Sequence, residues 1–393
     1  LAGGFFGGKE QLVDYKIIPG GISGDLKRAL NPKEGLTIIA RFPDGYLKNG
    51  NIYLKIKLFL INNFAFLTPF LIFALLLILW LKIGKDKDVI SYVQFTPPKG
   101  MTPSEAGVII DDKTDNRDLI SIIFYWAVNG IIKIEEEKGE GFFEKSDYIL
   151  SRLRDLPDDA KNFEKTMFEG LFPAKTQVVR ISSLKNKFYN YLHQARSELD
   201  ELIASTDTYV YGTRTLGKLL KFLSIGFIVA GFFLSLLTGD LSYILALAIS
   251  GVITFVFGYI MPKKSDTGLK KFQHIKGLKE FMEKVEKPKL KMLLKDDPNY
   301  FDKTIPFAVA LGIESTWGEK FKDLITKAPE WYQASPGYHF STVYMANSIA
   351  NSTKYMGQVL ASSPSSSGSS GGSGFGGGGF SGGGFGGGGG GSW

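Results

Sequence analysis

The stretch LFLINNFAFLTPFLIFALLLILWL, residues 58–81, carries no charged side chain and decides the fold class. A helix needs roughly 20 apolar residues to cross a hydrocarbon core about 30 Å thick, so this stretch is long enough. LSYILALAISGVITFVFGYIM, residues 241–261, meets the same requirement. FLSIGFIVAGFFLSLL, residues 222–237, reaches it when residues 219–221 are added with a snorkelling Lys221. Core helices of soluble proteins rarely run this long without a charge, so we expect an integral membrane protein with three transmembrane helices.

The second and third apolar stretches are separated only by TGD, residues 238–240. So short a connection predicts a tight helical hairpin over residues 219–261. Gly226 and Ala230 form a small-xxx-small pair on the first helix of this hairpin. Such pairs let helices approach closely, so this one predicts a packing face for the hairpin or for another subunit.

Basic residues flank the apolar stretches and predict the orientation. KIGKDKD follows the first stretch, RTLGKLLK precedes the second and PKK follows the third, whereas the hairpin loop carries only Asp240. Lys and Arg stay on the cytoplasmic side of a membrane. Lys55 and Lys57 before the first stretch oppose this assignment, but three flanks outweigh one. We therefore expect a multi-pass plasma-membrane protein with its N-terminus outside and its C-terminus in the cytoplasm.

Composition excludes several kinds of chemistry. The 393 residues contain no cysteine, which excludes disulfides, thiolate metal sites and cysteine nucleophiles. The formal net charge is +7 and sits partly at the membrane flanks, where membrane lipid with anionic headgroups is an expected partner. No charged residue interrupts an apolar stretch, whereas ion pathways usually require one, so transport is not favoured.

The region before the first span predicts the end of an extracytoplasmic β domain. Within residues 1–57, GLTIIARFP is a short β-type run and DGYLKNGN a turn. Alone it cannot bury a core. Leu1 is not an initiator Met and no signal peptide is evident, so we expect an upstream translocated segment.

Residues 82–218 predict a cytoplasmic winged-helix-like domain. A helix over 118–129 ends before Gly130, and a strand, a KGEG turn and a returning strand follow. Winged helices often bind DNA. Here the helix that would enter the groove is apolar around most of its circumference, and residues 114–206 hold 13 Lys and Arg against 16 Asp and Glu. Phosphate repulsion makes nucleic acid an improbable partner.

The last part of the chain divides in two. Residues 262–360 predict a cytoplasmic helical region, in which Asp297 would cap a helix with Pro298 at its first position. Pro306 would start or kink a second helical piece that ends at Gly312. Residues 361–393 are a Ser- and Gly-rich tail, with 16 glycines among its last 23 residues. That composition cannot build a core and predicts a disordered tether. The fold class is therefore an α+β integral membrane protein with a disordered tail.

Several blocks together resemble the YciQ-like predicted membrane proteins, a family whose domain has no assigned function. The blocks are GLTIIARFPDGYL, PPKGMTPSEAGVIID, AVNGIIKIEEE, DDPNYFDKTIPFAVALGIESTWGEKF and the glycine tail closing in SW. The resemblance spans nearly the whole chain. It implies a plasma-membrane location, the topology given above, and a larger extracytoplasmic β domain ahead of residue 1. It implies no activity and no catalytic residues.

Residue patterns for catalysis and metal binding are weak. The three histidines, His193, His274 and His339, lie far apart in sequence and lack metal-ligand spacing, so we expect no metal site. The acid pairs precede or open predicted helices, where helix capping explains them; they are Asp111/Asp112, Asp158/Asp159 and Asp296/Asp297. No GxSxG elbow occurs, and the Gly-x-Gly patterns of the tail lack a flanking strand and helix. We therefore expect no catalytic residue and no cofactor.

The tail supplies the candidate interaction residues. Phe375, Phe380 and Phe385 recur every five residues in glycine, and Trp393 ends the chain. Spaced aromatic residues offer weak repeated contacts, and a terminal Trp carboxylate offers one distinctive group, so we expect protein partners or self-association. The alternative is a passive tail.

Together these features predict a non-enzymatic envelope sensor or scaffold that binds protein partners on the cytoplasmic side. Two alternatives remain open. A membrane-tethered transcription regulator would show a basic exposed face. An enzyme with an unrecognised cytoplasmic site would show distant polar residues that converge in a pocket.

Overall fold

The computed structural model of the protein describes residues 2–4, 13–19, 21–30, 35–37, 52–53, 64–87, 90–137, 146–335 and 340–364. The chain divides into two compact units. One comprises Leu1–Phe73 with Gly226–Gly251, and the other Ala74–Ile225 with Val252–Trp393.

The secondary structure is mainly helical. The strands of the described residues are β1 (Ala2–Gly4), β2 (Val13–Ile18), β3 (Gly21–Leu26), β4 (Gly35–Thr37), β5 (Ile132–Glu137), β6 (Asp147–Arg152), β7 (Val178–Arg180) and β8 (Tyr332–Gln333). The α-helices are α1 (Leu67–Leu79), α2 (Pro103–Asp111), α3 (Asn116–Val128), α4 (Asn162–Leu171), α5 (Tyr189–Ser205), α6 (Thr213–Thr238), α7 (Ser242–Ile260), α8 (Asp266–Lys284), α9 (Lys287–Asp296), α10 (Tyr300–Leu311), α11 (Glu314–Lys320) and α12 (Thr342–Leu360).

Three helices are long and apolar enough to cross a membrane. They are Phe64–Gly84, which contains α1 and a terminal π-helical turn, and the helices α6 and α7. In their most apolar 18-residue segments only 17%, 22% and 33% of the residues are buried in the fold. Large apolar side chains such as Phe70, Phe222 and Leu245 are exposed. A soluble protein would bury such faces, so these helices fit a multi-pass membrane protein, as the sequence predicts.

Glycines bring α6 and α7 into close contact at two levels. A Cβ on Gly231 would lie 3.0 Å from Leu247 Cβ and 3.1 Å from the Tyr243 carbonyl oxygen. Nearer the other end of the helices, a Cβ on Gly217 would lie 2.8 Å from the carbonyl oxygen of Gly258. Small residues thus set the helix spacing, as is common in membranes.

The small-residue pair predicted from the sequence does not take part in this contact. Gly226 is exposed, and no described atom comes within 4 Å of the place where its Cβ would lie. Ala230 is exposed as well. The pair therefore does not pack the hairpin, because the packed glycines lie on another face of α6, and its packing against another subunit stays a prediction.

The four N-terminal strands form two small sheets in the first unit. β1 pairs with β4 and β2 with β3, both antiparallel. Apart from Val13, the β2–β3 hairpin is exposed on both faces, including the apolar side chains of Ile17 and Ile18. A two-stranded hairpin cannot bury a core. That these strands end an extracytoplasmic β domain remains a prediction.

In the second unit α3 is the central helix. A capping box begins it, with Asp118 Oδ2 accepting from the Asp115 backbone amide at 2.7 Å, and Gly130 follows its end at φ 68°. Its buried side chains lie on all sides of the helix; they are Asp118, Leu119, Ile120, Ser121, Ile122, Ile123, Phe124, Trp126 and Ala127. Trp126 Nε1 donates to Glu164 Oε2 at 3.0 Å, which fixes α3 against α4. A helix buried this completely serves the core and not the surface.

A four-stranded sheet lies beside α3 in the order β7-β6-β5-β8. β5 and β6 are antiparallel with Ile134 opposite Leu150, and β6 and β7 are antiparallel with Leu150 opposite Val179. β8 joins β5 in parallel, with Ile134 opposite Tyr332. Alternate residues of β5 are buried, so one face of the sheet joins the core.

Residues on both sides of the hairpin build one hydrophobic core. Trp126, Phe163 and Leu199 before the hairpin and Phe301 and Trp317 after it belong to the same buried cluster. α10 packs on α2 and α3, and α12 packs on α3 and α11. Pro306 lies inside α10, and Gly312 ends that helix at φ 69°. Helix α10 begins at Tyr300 with Asn299 at its N-cap, two residues beyond the Asp297 expected from the sequence.

The glycine contacts in the hairpin can be tested by overpacking. We expect Gly231→Leu to destabilise the protein by about 1–3 kcal/mol, because the added side chain meets Leu247 and the Tyr243 carbonyl in a closely packed interface. Gly226→Leu is the matched control, since it adds the same side chain to open space on the same helix. Melting temperatures in detergent would measure the difference, and equal melting temperatures for the two variants would contradict the assigned packing face.

Candidate functional site

Four residues from separate parts of the second unit meet at a buried polar cluster, here called the junction cluster: Asp86, Asp112, Tyr209 and Lys264. Asp86 follows the first apolar helix, Tyr209 precedes α6 and Lys264 follows α7. Asp112 is the C-cap of α2, in the left-handed conformation at φ 62°. Aspartate is one of the residues that tolerate this conformation.

A bidentate ion pair forms the centre of the junction cluster. Lys264 Nζ lies 2.6 Å from Asp112 Oδ1 and 2.7 Å from Oδ2. The side chain of Lys264 is only 4% exposed and that of Asp112 26% exposed. Lys264 Nζ also lies 4.7 Å from the centre of the Phe272 ring, a cation–π distance. A lysine buried this deeply needs its carboxylate, because a lone buried charge is strongly unfavourable.

Tyr209 is the second hydrogen-bond donor to Asp112. Its hydroxyl donates to Asp112 Oδ1 at 2.5 Å. Burial, followed by the negative charge of Asp112, raises the pKa of the Tyr209 phenol far above its usual value, so the hydroxyl keeps its proton. The backbones of Tyr209 and Lys264 also pair, with Val210 N donating to Lys263 O at 2.8 Å and Ser265 N to Thr208 O at 3.0 Å.

Asp86 adds the segment after the first apolar helix to the cluster. Its Oδ1 accepts from the Lys264 backbone amide at 2.8 Å. Burial raises the pKa of Asp86 above its usual value despite that hydrogen bond. Nearby, Lys87 and Asp266 form an exposed ion pair at 2.5 Å. Segments next to all three apolar helices therefore meet at one place in the second unit.

The junction cluster is built for mechanical attachment. The carboxylates of Asp86 and Asp112 already accept hydrogen bonds from Lys264, Tyr209 and a backbone amide. Few of their acceptor positions are therefore free to bind a substrate. It joins one end of each apolar helix to α2. Helix α2 belongs to the domain formed by residues 90–212 and 262–364 around the buried cluster, here called the soluble core. Through this cluster a soluble domain is held to the ends of three apolar helices.

Apolar helices joined to such a domain agree with the comparison to known families. The family model described as the C-terminal domain of a predicted membrane protein, DUF2207, matches residues 90–321. The chain belongs to the DUF2207 family. The match contains three of the four junction residues, Asp112, Tyr209 and Lys264, so most of the junction cluster lies within the matched C-terminal domain. The match agrees with the YciQ-like resemblance of the sequence.

Two further comparisons contribute no function. No curated protein matches the chain. No solved structure matches it either, so no relative supplies an activity or a fold name for this DUF2207 protein.

The acid pair Asp111/Asp112 has a different role from the one expected from the sequence. Asp111 and Asp112 end α2, where the helix dipole disfavours carboxylates, so capping does not explain Asp112. The ion pair with Lys264 explains the position of Asp112. Asp297 follows the end of α9, accepts from Asn299 N at 3.1 Å and pairs with Lys303 at 2.7 Å.

The other sequence candidates are not brought together. His193 is exposed, and His274 Nε2 lies 2.8 Å from the Thr96 carbonyl oxygen. Within the described ranges, no three His, Asp or Glu side chains could hold a metal ion. The remaining candidates lie outside the described residues; they are His339, Phe375, Phe380, Phe385 and Trp393.

A second polar cluster lies between the sheet and α12. Glu136 Oε2 is 2.8 Å from both the Tyr332 hydroxyl and Ser348 Oγ, and 3.3 Å from the Tyr344 hydroxyl. Burial also raises the pKa of the nearby Tyr148 to about 12. Such convergence of distant residues is what the enzyme alternative requires, and Tyr332 and Tyr344 line a cavity of about 330 Å³. Glu136 and Ser348 are themselves buried, so we interpret their hydrogen bonds as a link between β5, β8 and α12.

Breaking the central ion pair tests the junction cluster. We expect Lys264→Met to destabilise the protein by about 3 kcal/mol, because it leaves Asp112 partly buried without its cation. Lys87→Met is the matched control; it breaks an exposed pair near the same place, and such pairs contribute little to stability.

Thermal unfolding in detergent would measure the stability of the Lys264→Met and Lys87→Met variants. Adding Asp112→Asn to Lys264→Met should recover part of the loss, since asparagine also tolerates the left-handed conformation. Equal losses for Lys264→Met and Lys87→Met would show that the buried pair has no special role.

Proposed function

We propose that this DUF2207 protein is a non-enzymatic sensor or scaffold of the cell envelope, located in the plasma membrane, that binds protein partners. The junction cluster carries the proposal. It connects one end of each apolar helix to α2 through a buried ion pair with bidentate geometry. A displacement of those helix ends must therefore either move α2 with it or break the pair. A change at the membrane would in this way reach the soluble core.

We propose the orientation given by the basic flanks, with the N-terminus outside and the soluble core and tail in the cytoplasm. The three flanks contribute Asp86, Arg214 and Lys264 to one region of the second unit. Their meeting supports a single side for all three, and the excess of Lys and Arg favours the cytoplasmic one.

We propose protein, and not nucleic acid, as the partner of the soluble core. The order of α3, Gly130, β5 and β6 supports a winged-helix-like arrangement. Helix α3 is nevertheless buried on all sides, so it has no face with which to read bases. On β5, Glu135 and Glu137 are partly exposed and would repel phosphates. These features argue against the transcription-regulator alternative.

The aromatic residues of the tail are the proposed binding elements. Phe375, Phe380, Phe385 and Trp393 would make weak, repeated contacts from the glycine-rich sequence that follows the last helix, α12. The proposal rests on their spacing in the sequence.

The orientation can be measured with single cysteines, because the chain has none of its own. In intact cells a membrane-impermeant maleimide should label the Asp240→Cys variant, in the hairpin loop, but not the Lys270→Cys variant, in α8. Both positions are exposed, so permeabilised cells should give labelling of both. Labelling of the Lys270→Cys variant alone in intact cells would show that the topology is the reverse of the one proposed.

Partner binding by the tail can be measured by in-cell crosslinking with mass spectrometry. We expect the partners of the full-length protein to be lost when the chain ends at Ser369, and also in the variant Phe375→Ser, Phe380→Ser, Phe385→Ser. The matched control Gly377→Ser, Gly382→Ser, Gly387→Ser changes the same number of residues and keeps the aromatic rings. An unchanged set of partners in the truncated protein would make the tail a spacer.

A further inference from the structure

A cavity of about 170 Å³ lies beside the junction cluster, entirely within the second unit. Residues of α5, α6 and α7 and of the link between α2 and α3 line it. Five cationic side chains contribute to the lining: Lys113, Arg196, Arg214, Lys218 and Lys221. Three of them follow one face of α6 at positions i, i+4 and i+7.

Carboxylates neutralise only part of this charge. Asp200 accepts from Arg214 at 3.0 Å and from Lys218 at 2.8 Å. Burial alone would raise the pKa of Asp200, but hydrogen bonds from Lys218 and Thr114 and the charge of Arg214 lower it below its usual value. Among the described residues, Lys113, Arg196 and Lys221 have no carboxylate partner.

Two buried donors in the lining have no acceptor in the part of the chain that the structure describes. They are Arg196 Nε and Arg214 Nη1. The side chain of Arg214 is only 12% exposed. Buried N–H groups of arginine are normally hydrogen-bonded, and leaving one unpaired is costly. An anion in the cavity would supply acceptors for both donors and would reduce the repulsion among the lysines.

The size of the cavity limits the anion. At about 170 Å³ it is smaller than the sites of about 300–1,000 Å³ that hold larger ligands. That space suits one phosphate group, whose oxygens match the planar donors of arginine. We propose that the cavity is a binding site for the phosphate group of an anionic phospholipid.

The position of the cavity favours a lipid as the source of the phosphate. Lys221 lies in α6 directly before the exposed Phe222, and Gly258 lies near the end of α7. Lys221 Nζ is 3.9 Å from the centre of the Tyr259 ring, an arrangement typical of the boundary between a membrane and water. The exposed apolar side chains of Leu219 and Phe222 continue from this point along α6. A phosphate in the cavity can therefore belong to a lipid whose acyl chains lie against that helix.

Native mass spectrometry of the full-length protein in neutral detergent tests the site, with phosphatidylglycerol as the probe. The unmodified protein should retain one phosphatidylglycerol at least tenfold more tightly than the double variant Lys113→Gln, Lys221→Gln. Both lysines lack carboxylate partners, so their removal should leave the melting temperature without lipid unchanged or raised. The matched control Lys82→Gln, Lys85→Gln removes the same charge from the flank of the first apolar helix, outside the cavity, and should keep the tight lipid.

Three further outcomes separate the sources. Inorganic phosphate is first added to the lipid-bound protein; if it displaces no lipid, the lipid assignment stands. If phosphate alone raises the melting temperature of the unmodified protein but not of the cavity variant, and no lipid is retained, a free phosphate is the ligand and the lipid assignment is overturned. Equal lipid retention in the cavity variant and in the matched control overturns the site. These results do not depend on tail-mediated partner binding, which can fail separately.

Discussion

The pairing of Lys264 with Asp112 is the interaction on which the arrangement of the second unit depends. Lys264 lies in the short segment between α7 and α8, and Asp112 is the C-cap of the first helix of the soluble core. Because Lys264 is almost fully buried, its charge is tolerated only with the carboxylate in place. Tyr209 donates a hydrogen bond to Asp112 and so positions the chain that enters α6. Asp86 accepts one from the Lys264 backbone amide and so positions the chain that leaves the first apolar helix. One ion pair thus sets the geometry at three helix ends.

The soluble core gains its size from residues on both sides of the hairpin. α10 covers α2 and α3, and β8 extends a sheet whose other strands come from before the hairpin. Neither half has a complete core of its own, since Trp126 and Phe301 belong to one cluster. Helix α12, which follows the residues matched by the family model, contributes Met345, Ile349 and Leu360 to that cluster. Attachment at the junction cluster therefore acts on a domain that is itself a single packed body.

Local patterns in the sequence predicted the elements well and their long-range partners poorly. The apolar stretches gave three spans, and the Gly130 stop gave α3 and the strand after it, because charge-free length and glycine conformation are local properties. The role of Asp112 could not be predicted from its neighbours, since Lys264 lies 152 residues away. A lysine shortly after an apolar helix nevertheless indicated a buried ion pair, because a cation at that position needs a counter-charge when the chain folds back on it. The face of α6 with Arg214, Lys218 and Lys221 was likewise readable as one charged stripe, but only the fold placed it beside Arg196.

In the sequence, the hairpin lies between the two parts of the chain that form the soluble core, and this order has a consequence for biosynthesis. α2, α3 and the β5–β6 pair leave the ribosome before both hairpin helices, while α10 and α12 leave it after them. Until α10 is synthesised, the apolar surface of α3 that it covers stays exposed. The contacts that bury this surface are long-range and slow to form. Membrane insertion of α6 and α7 is thus a step within the folding of the soluble domain, and a delay there exposes an aggregation-prone helix. Protection of α3 during synthesis becomes a requirement for the yield of the folded protein.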